Sequence, residues 1–177
     1  MVIWLIGLSG SGKTTLGSEM ARQLRARHPN TVLLDGDTLR QVFAFDRGSD
    51  PYTVEGRRLN AERIAALCEM LDRQGIHVIS CILSIFADMR KANRTRFSRY
   101  FEIFMDAPLE ALRQRDVKGL YAAADSGKIP NVVGVHIPFE RPSGSDLVID
   151  SSGDAPDVPA LAARALKQAG LDMGAPA

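Results

Sequence analysis

Two short stretches carry residue types whose spacing suits phosphate chemistry. Gly7-Leu-Ser-Gly-Ser-Gly-Lys-Thr14 sets glycines where a backbone must curl with its N–H groups pointing inward at a polyphosphate. Gly7, Gly10 and Gly12 supply the curl, with Ser9 and Ser11 between them. Lys13 brings charge for the outer phosphates, and Thr14, followed by Thr15, a hydroxyl for a magnesium ion. Leu34-Asp-Gly-Asp-Thr-Leu-Arg40 sets two carboxylates one glycine apart. One could order magnesium through water while the other takes a proton from an acceptor hydroxyl. Arg40, one helical turn on, could hold an anionic acceptor. A plainer reading makes Asp37 a helix N-cap ahead of residues 38–43, worth about 1 kcal/mol.

The elements that must carry these groups are legible in the apolar pattern. A run at residues 2–6 reads as a buried strand, and Leu16, Met20 and Leu24 at a spacing of four read as the following helix. That helix, starting near Lys13, would aim its positive end at the same phosphates. Thr15 stands where a third glycine would complete a dinucleotide fingerprint, so the loop is a triphosphate site. A second strand is predicted at residues 31–35, then a long helix at 54–74 anchored by Leu59, Ala66, Leu67 and Leu71, with Gly75 as its stop. Further strands are predicted at 77–82, 101–105 and 147–149, and helices at 109–115 and 158–168. The alternation predicts an α/β fold: a three-layer, five-stranded parallel sheet of the phosphate-loop, nucleotide-kinase type. Residues 116–145 are punctuated by Gly119, Gly127, Pro130, Gly134, Pro138, Pro142 and Gly144. This stretch reads as a lid that excludes water from phosphoryl transfer. Residues 151–159 read as a linker and 170–177 as a frayed tail, all within one kinase domain spanning 1–177.

Bulk properties narrow the class. At 177 residues with 22 basic and 21 acidic side chains, the chain fits one domain without a nucleic-acid footprint. Arg90, Arg94, Arg96 and Arg99 cluster, and most of them read as a solvated helix face before a phosphate contact. Cys68 and Cys81 read as reduced packing residues. No apolar run reaches membrane-spanning length, and a strand from residue 2 leaves no room for a signal or transit segment. A cytoplasmic protein without membrane or nucleic-acid partners is expected. A GTPase's Asn-Lys-x-Asp and a transporter's Leu-Ser-Gly-Gly-Gln are both missing from the sequence. Asp72-Arg-Gln-Gly75 falls at a helix end, the wrong place for a switch motif. A small-molecule kinase remains.

Three segments together resemble the adenylyl-sulfate (APS) kinase family: residues 7–15, residues 34–40, and Arg115-Asp-Val-Lys-Gly-Leu-Tyr121. In that family ATP phosphorylates the 3′-hydroxyl of adenosine 5′-phosphosulfate to give 3′-phosphoadenylyl sulfate. The resemblance implies Asp37 as general base beside Lys13, and Asp35 and Thr14 on the magnesium side, with Mg²⁺ accompanying ATP. It implies that Arg40, Tyr52, Arg57 and Asn60 bind the acceptor, that Arg115 packs on the ATP adenine, and that Lys118 and Tyr121 belong to the lid. It also implies a homodimer.

The departures gather on the acceptor side. Where the family reads Phe-Ile-Ser-Pro, this chain has Cys81-Ile82-Leu83-Ser84, so Ile82 and Leu83 line an altered wall. Where the lid reads close to Lys-Gly-Phe-Thr-Gly-Ile-Asp-Asp-Pro-Tyr-Glu, it has Pro130-Asn-Val-Val-Gly-Val-His-Ile-Pro-Phe-Glu140. Val132 thus replaces a phenylalanine that stacks on adenine, and His136, expected as an exposed loop histidine, replaces an aspartate. Three extra residues lie between Arg40 and Asn60. This pattern is similar to that of the cytidine diphosphoramidate kinases. Adenylyl sulfate is the first expected acceptor and a cytidine diphosphate derivative the second. A non-catalytic nucleotide-binding module is the reading from a different class.

Overall fold

The structure is a computed structural model and describes residues 1–43, 50–116, 118–153 and 157–171. Five strands form it: β1 (Val2–Ile6), β2 (Thr31–Asp35), β3 (His77–Cys81), β4 (Tyr100–Asp106) and β5 (Leu147–Asp150). They pair in parallel in the order β2-β3-β1-β4-β5. A central parallel strand is covered on both faces, which is why residues 2–6 read as an unbroken apolar run. All five are buried. Their side chains alternate: Ile3 and Leu5 enter the core on one face, while Val2, Trp4 and Ile6 enter the other.

Helix α1 (Lys13–Arg25) lies on the first face, burying Leu16, Met20 and Leu24 as their spacing predicts. Each is worth about 1.5–3 kcal/mol by removal from water. Helix α7 (Val158–Gln168) packs beside it through Ala162, Ala165 and Leu166. Gly17 of α1 sits so close to β3 that a Cβ there would lie 2.2 Å from the Cys81 sulfur. On the second face, α3 (Val54–Arg73) buries Ala61, Ile64, Ala65, Cys68 and Asp72. The expected anchors are corrected here, because Leu59 and Ala66 are exposed and Leu67 and Leu71 only partly buried. The helix is rotated so that Ile64 and the small residues Ala61, Ala65 and Cys68 face the core, and Leu67 and Leu71 flank it. Asp72 receives the Met1 amine and both the N–H and hydroxyl of Ser98, in a buried cluster.

Three further helices depart from expectation. Helix α2 (Gly36–Val42) begins at the end of β2, and its N-cap is Asp35, whose carboxylate accepts from the N–H groups of Asp37 and Thr38. The capping role assigned to Asp37 therefore belongs to Asp35. Helix α4 (Ala87–Arg96) buries Arg90 and Asn93 rather than an apolar stripe. Of the clustered arginines Arg90 is buried, whereas Arg94, Arg96 and Arg99 are exposed, as expected of most of them. Arg90 is 8% exposed, donates to the Ser84 carbonyl and lies beside Glu102, and Arg94 pairs with Asp146. Beyond α5 (Leu109–Arg115), the lid contains α6 (Leu120–Asp125) and a tight turn closed by a bridge between Val133 and Ile137.

Of the expected linker, residues 154–156 lie outside the described residues, as do Val117 and 172–177 of the tail. Leu171, expected in that tail, is 5% exposed within the core. Cys68 and Cys81 are buried free thiols, and burial pushes both up to about 12. Among the described residues no helix is long and apolar enough to cross a membrane.

Candidate active site

The carboxyl ends of β1, β2 and β3 open into one cavity of about 1000 Å³, the edge at which open α/β sheets take their ligands. The phosphate-type loop forms its floor. Gly10 and Gly12 adopt left-handed φ values of 80° and 87°, and Gly12 leads into α1. Gly7 (φ 148°) passes so near β4 that a Cβ would lie 2.6 Å from the Met105 carbonyl. A side chain is excluded by contact at Gly7 and disfavoured by the left-handed backbone at Gly10 and Gly12. Ser11 is buried beneath the loop, whereas Ser9, Thr14 and Thr15 line the cavity.

Lys13 folds back over its own loop and donates to the Leu8 carbonyl at 2.7 Å. Burial pushes its ammonium down to about 8, against the raising influence of Cys81, Asp37 and Asp35. Thr14 Oγ1 donates to Asp35 Oδ2 at 2.8 Å, so a hydroxyl and a carboxylate stand side by side above the loop. Oxygen donors of this kind suit a hard cation such as magnesium.

Asp37 projects from the first turn of α2 and forms ion pairs with Arg40 and with Lys118 Nζ, the latter at 2.9 Å. Burial pushes its carboxyl up, but Lys118 and Arg40 outweigh it and hold the group below the usual carboxylate range. Lys118 comes from the lid, and Tyr121, also from the lid, donates its hydroxyl to the Ser9 carbonyl at 2.9 Å. The segment expected to be a lid thus lies over both the loop and the paired carboxylates.

Most of the residues expected to bind the acceptor line the same cavity. Tyr52 is 48% exposed, with the Arg40 and Arg57 guanidinium carbons 5.5 and 5.6 Å from its ring centre. Ile82, Leu83, Ile129, Pro130 and Val132 complete an aliphatic surface. Val132 is 4% exposed and packs with Leu8, Leu112, Tyr121 and Val133. Tyr52 is the one aromatic side chain among the described lining residues. His136 is exposed, as expected, and its Nδ1 accepts from the Val132 N–H at 3.2 Å.

Two expected contributors stand apart. Asn60 lies outside the cavity lining on α3, where its buried Oδ1 lacks a hydrogen-bond partner. Arg115 is also outside it, donating to the Ser151 and Ser152 carbonyls at 2.6 and 2.5 Å. Two residues the sequence did not single out, Gln41 and Asn131, do line the cavity. For Asn131 the signal was present, since it stands at a lid position where the resembling family carries glycine. It adopts φ 60°, the left-handed region that glycine or asparagine enters most readily.

Comparison with known proteins gives the family. The adenylylsulphate kinase family is matched over residues 1–150. The cytidine diphosphoramidate kinase of Campylobacter jejuni is 40% identical over 154 residues, covering 85% of this chain and 86% of that protein. The adenylyl-sulfate kinase of Deinococcus deserti is 39% identical over 146 residues, covering 82% and 79%. Overall identity therefore does not separate the two acceptors. Among solved structures, the Mycobacterium tuberculosis APS kinase in complex with AMPPNP and APS superposes with a TM-score of 0.83 at 29% identity, over 94% of this chain and 95% of that one. The chain belongs to the adenylylsulphate kinase family of ATP-dependent phosphotransferases.

Proposed function

We propose that the chain transfers the γ-phosphoryl group of magnesium-ATP to a ribose hydroxyl of a cytidine diphosphate-type acceptor. The observation that carries the acceptor choice is Val132. Its side chain is part of the aliphatic wall and packed into the core beneath it, so the lid offers no flat ring to a base. Base–aromatic stacking is worth about 1–3 kcal/mol, and adenine has more of it to lose than the smaller cytosine. The similarity to the Campylobacter jejuni kinase, over most of both chains, supports the same reading.

In this mechanism Lys13 and the loop N–H groups hold the β- and γ-phosphates. Thr14 and Asp35 would hold magnesium, which when bound neutralises phosphate charge. Asp37, kept ionised by Lys118 and Arg40, accepts the proton of the acceptor hydroxyl. Arg40 and Arg57 face the acceptor's anionic group. Most of the acceleration comes from alignment and charge stabilisation, because the transferred group needs little covalent assistance.

Adenylyl sulfate is the second reading, favoured by Tyr52, whose half-exposed ring gives the cavity an aromatic surface on which a base could stack. ADP release measured with each acceptor tests the choice. A kcat/KM at least about 10-fold higher with the cytidine acceptor, equivalent to about 1.4 kcal/mol, supports the first reading. The opposite ratio transfers the assignment to adenylyl sulfate. Turnover with neither, in protein that binds ATP, overturns both.

A further inference from the structure

Asp50 and Arg57 each grip the same two residues of the cavity lining, Tyr52 and Asn131. Asp50 Oδ1 accepts from the Tyr52 N–H at 2.9 Å, and its Oδ2 accepts from Asn131 Nδ2 at 3.4 Å. Arg57 Nε donates to the Tyr52 carbonyl at 3.0 Å, and its Nη2 donates to the Asn131 carbonyl at 2.9 Å. Four bonds, each with one charged partner, therefore tie Tyr52 to Asn131 on the lid. Short charged hydrogen bonds are about twice as strong as neutral ones, and the 3.4 Å contact from Asn131 to Asp50 is the weakest of the four.

We propose that Asn131 is a positioning residue that sets the width of the acceptor-base slot by fixing the lid wall at Val132 relative to Tyr52. The proposal rests on the acceptor reading given above. Three features point to it. The left-handed turn at Asn131 aims the next residue, Val132, into the cavity wall. A glycine at this position, as in the resembling pattern, allows the same turn but has no amide to reach Asp50. And Asp50 is itself anchored, because its carbonyl lies 2.3 Å from where a Cβ on Gly56 would sit, and it accepts from Thr53. The bracket thus couples the start of α3 to a residue in the lid with no help from the phosphate loop.

Steady-state kinetics with both acceptors, on wild type and on Asn131→Gly, tests this. Asn131→Gly keeps the turn and loses the Asp50 bond. It is expected to raise the acceptor KM roughly 5-fold and to narrow the discrimination between cytidine and adenosine acceptors, with the KM for ATP unchanged. Asn131→Asp sets like charges against each other and is expected to act more strongly, and adding Asp50→Asn to it is expected to recover most of the loss. An unchanged acceptor KM and discrimination in both single variants overturns the proposal. So does an ATP KM that moves equally, or a double variant no better than Asn131→Asp. Amide exchange of residues 131–137 in ligand-free protein gives a readout that needs no acceptor. Faster exchange in Asn131→Gly supports the bracket and unchanged exchange overturns it, even if wild type phosphorylates neither nucleotide and the acceptor reading itself falls.

Discussion

In the proposed mechanism Lys13, Asp35 and Asp37 divide the chemistry among them, and each should leave a distinct trace when changed. Lys13→Ala removes the one charge on the loop, and is expected to abolish most turnover without unfolding the protein. Near-normal ADP release in that variant, with circular dichroism intact, contradicts the mechanism. Asp37→Asn is expected to lower kcat strongly while ATP affinity holds, since Asp37 is not the cap of α2 and its ion pairs are exposed. Lys13 also links ATP binding to protons. Its folded-state value of about 8 lies below the ordinary 10.5, so the ligand-free protein gains stability as pH rises between them. Phosphate anions reverse that shift. ATP binding at about pH 8.5 should therefore take up a fraction of a proton, read as a calorimetric heat that varies with buffer ionisation enthalpy. Heats independent of buffer contradict it, and Lys13→Met is expected to lose the effect.

The elements were legible wherever the core is apolar and periodic. Strand β1 and helices α1, α5 and α7 follow from hydrophobic spacing alone. Helix α4 was not, because the residues it buries are Arg90 and Asn93, whose charge and amide mimic a surface face. Helix α6 is six residues long inside a Gly- and Pro-rich segment, too short for a period to register. In the site, residues within one short motif were legible and their assembly was not. Asp50 and Asn131 are 81 positions apart, and no local pattern announces their contact. The cap on α2 moved by two residues because the helix begins directly at the strand end. Asp35→Ala is accordingly expected to cost about 1 kcal/mol of stability as well as turnover, measurable by urea unfolding. The α1–β3 contact makes a second element-level prediction. Gly17→Ala gains up to about 1 kcal/mol of helix propensity, but drives a methyl into the Cys81 sulfur. Overpacking of this kind costs about 1–3 kcal/mol and should prevail. Adding Cys81→Ala should recover stability, and an unaffected Gly17→Ala single variant contradicts the packing argument.

Across the whole molecule, the buried cluster around Asp72 joins the chain start, α3 and the turn before β4. Burial pushes the Asp72 carboxyl up, but the Met1 amine and Ser98 outweigh it and hold the group below the usual range. Its contribution is therefore present above the unfolded-state value and lost as pH falls through the folded one. Asp72→Asn strands a cation among side chains no more than 4% exposed, and is expected to cost about 3 kcal/mol. For a chain of this size that is a fall in Tm of roughly 6–12 °C, and the variant should lack the matching acid-side decline. An unchanged Tm contradicts the burial of that pair.

The cavity lining carries Lys13, Arg40, Arg57 and Lys118 against only Asp35 and Asp37, in a chain whose overall charge is +1. The positive excess is thus concentrated at the mouth of the site rather than spread over the surface. Polyanionic nucleotides should therefore be drawn in by a local field while the rest of the protein stays nearly indifferent to them. Their association rate should fall as ionic strength rises and the Debye length contracts to about 8 Å. The phosphoryl-transfer step, with its charges already in contact, should feel little of that change.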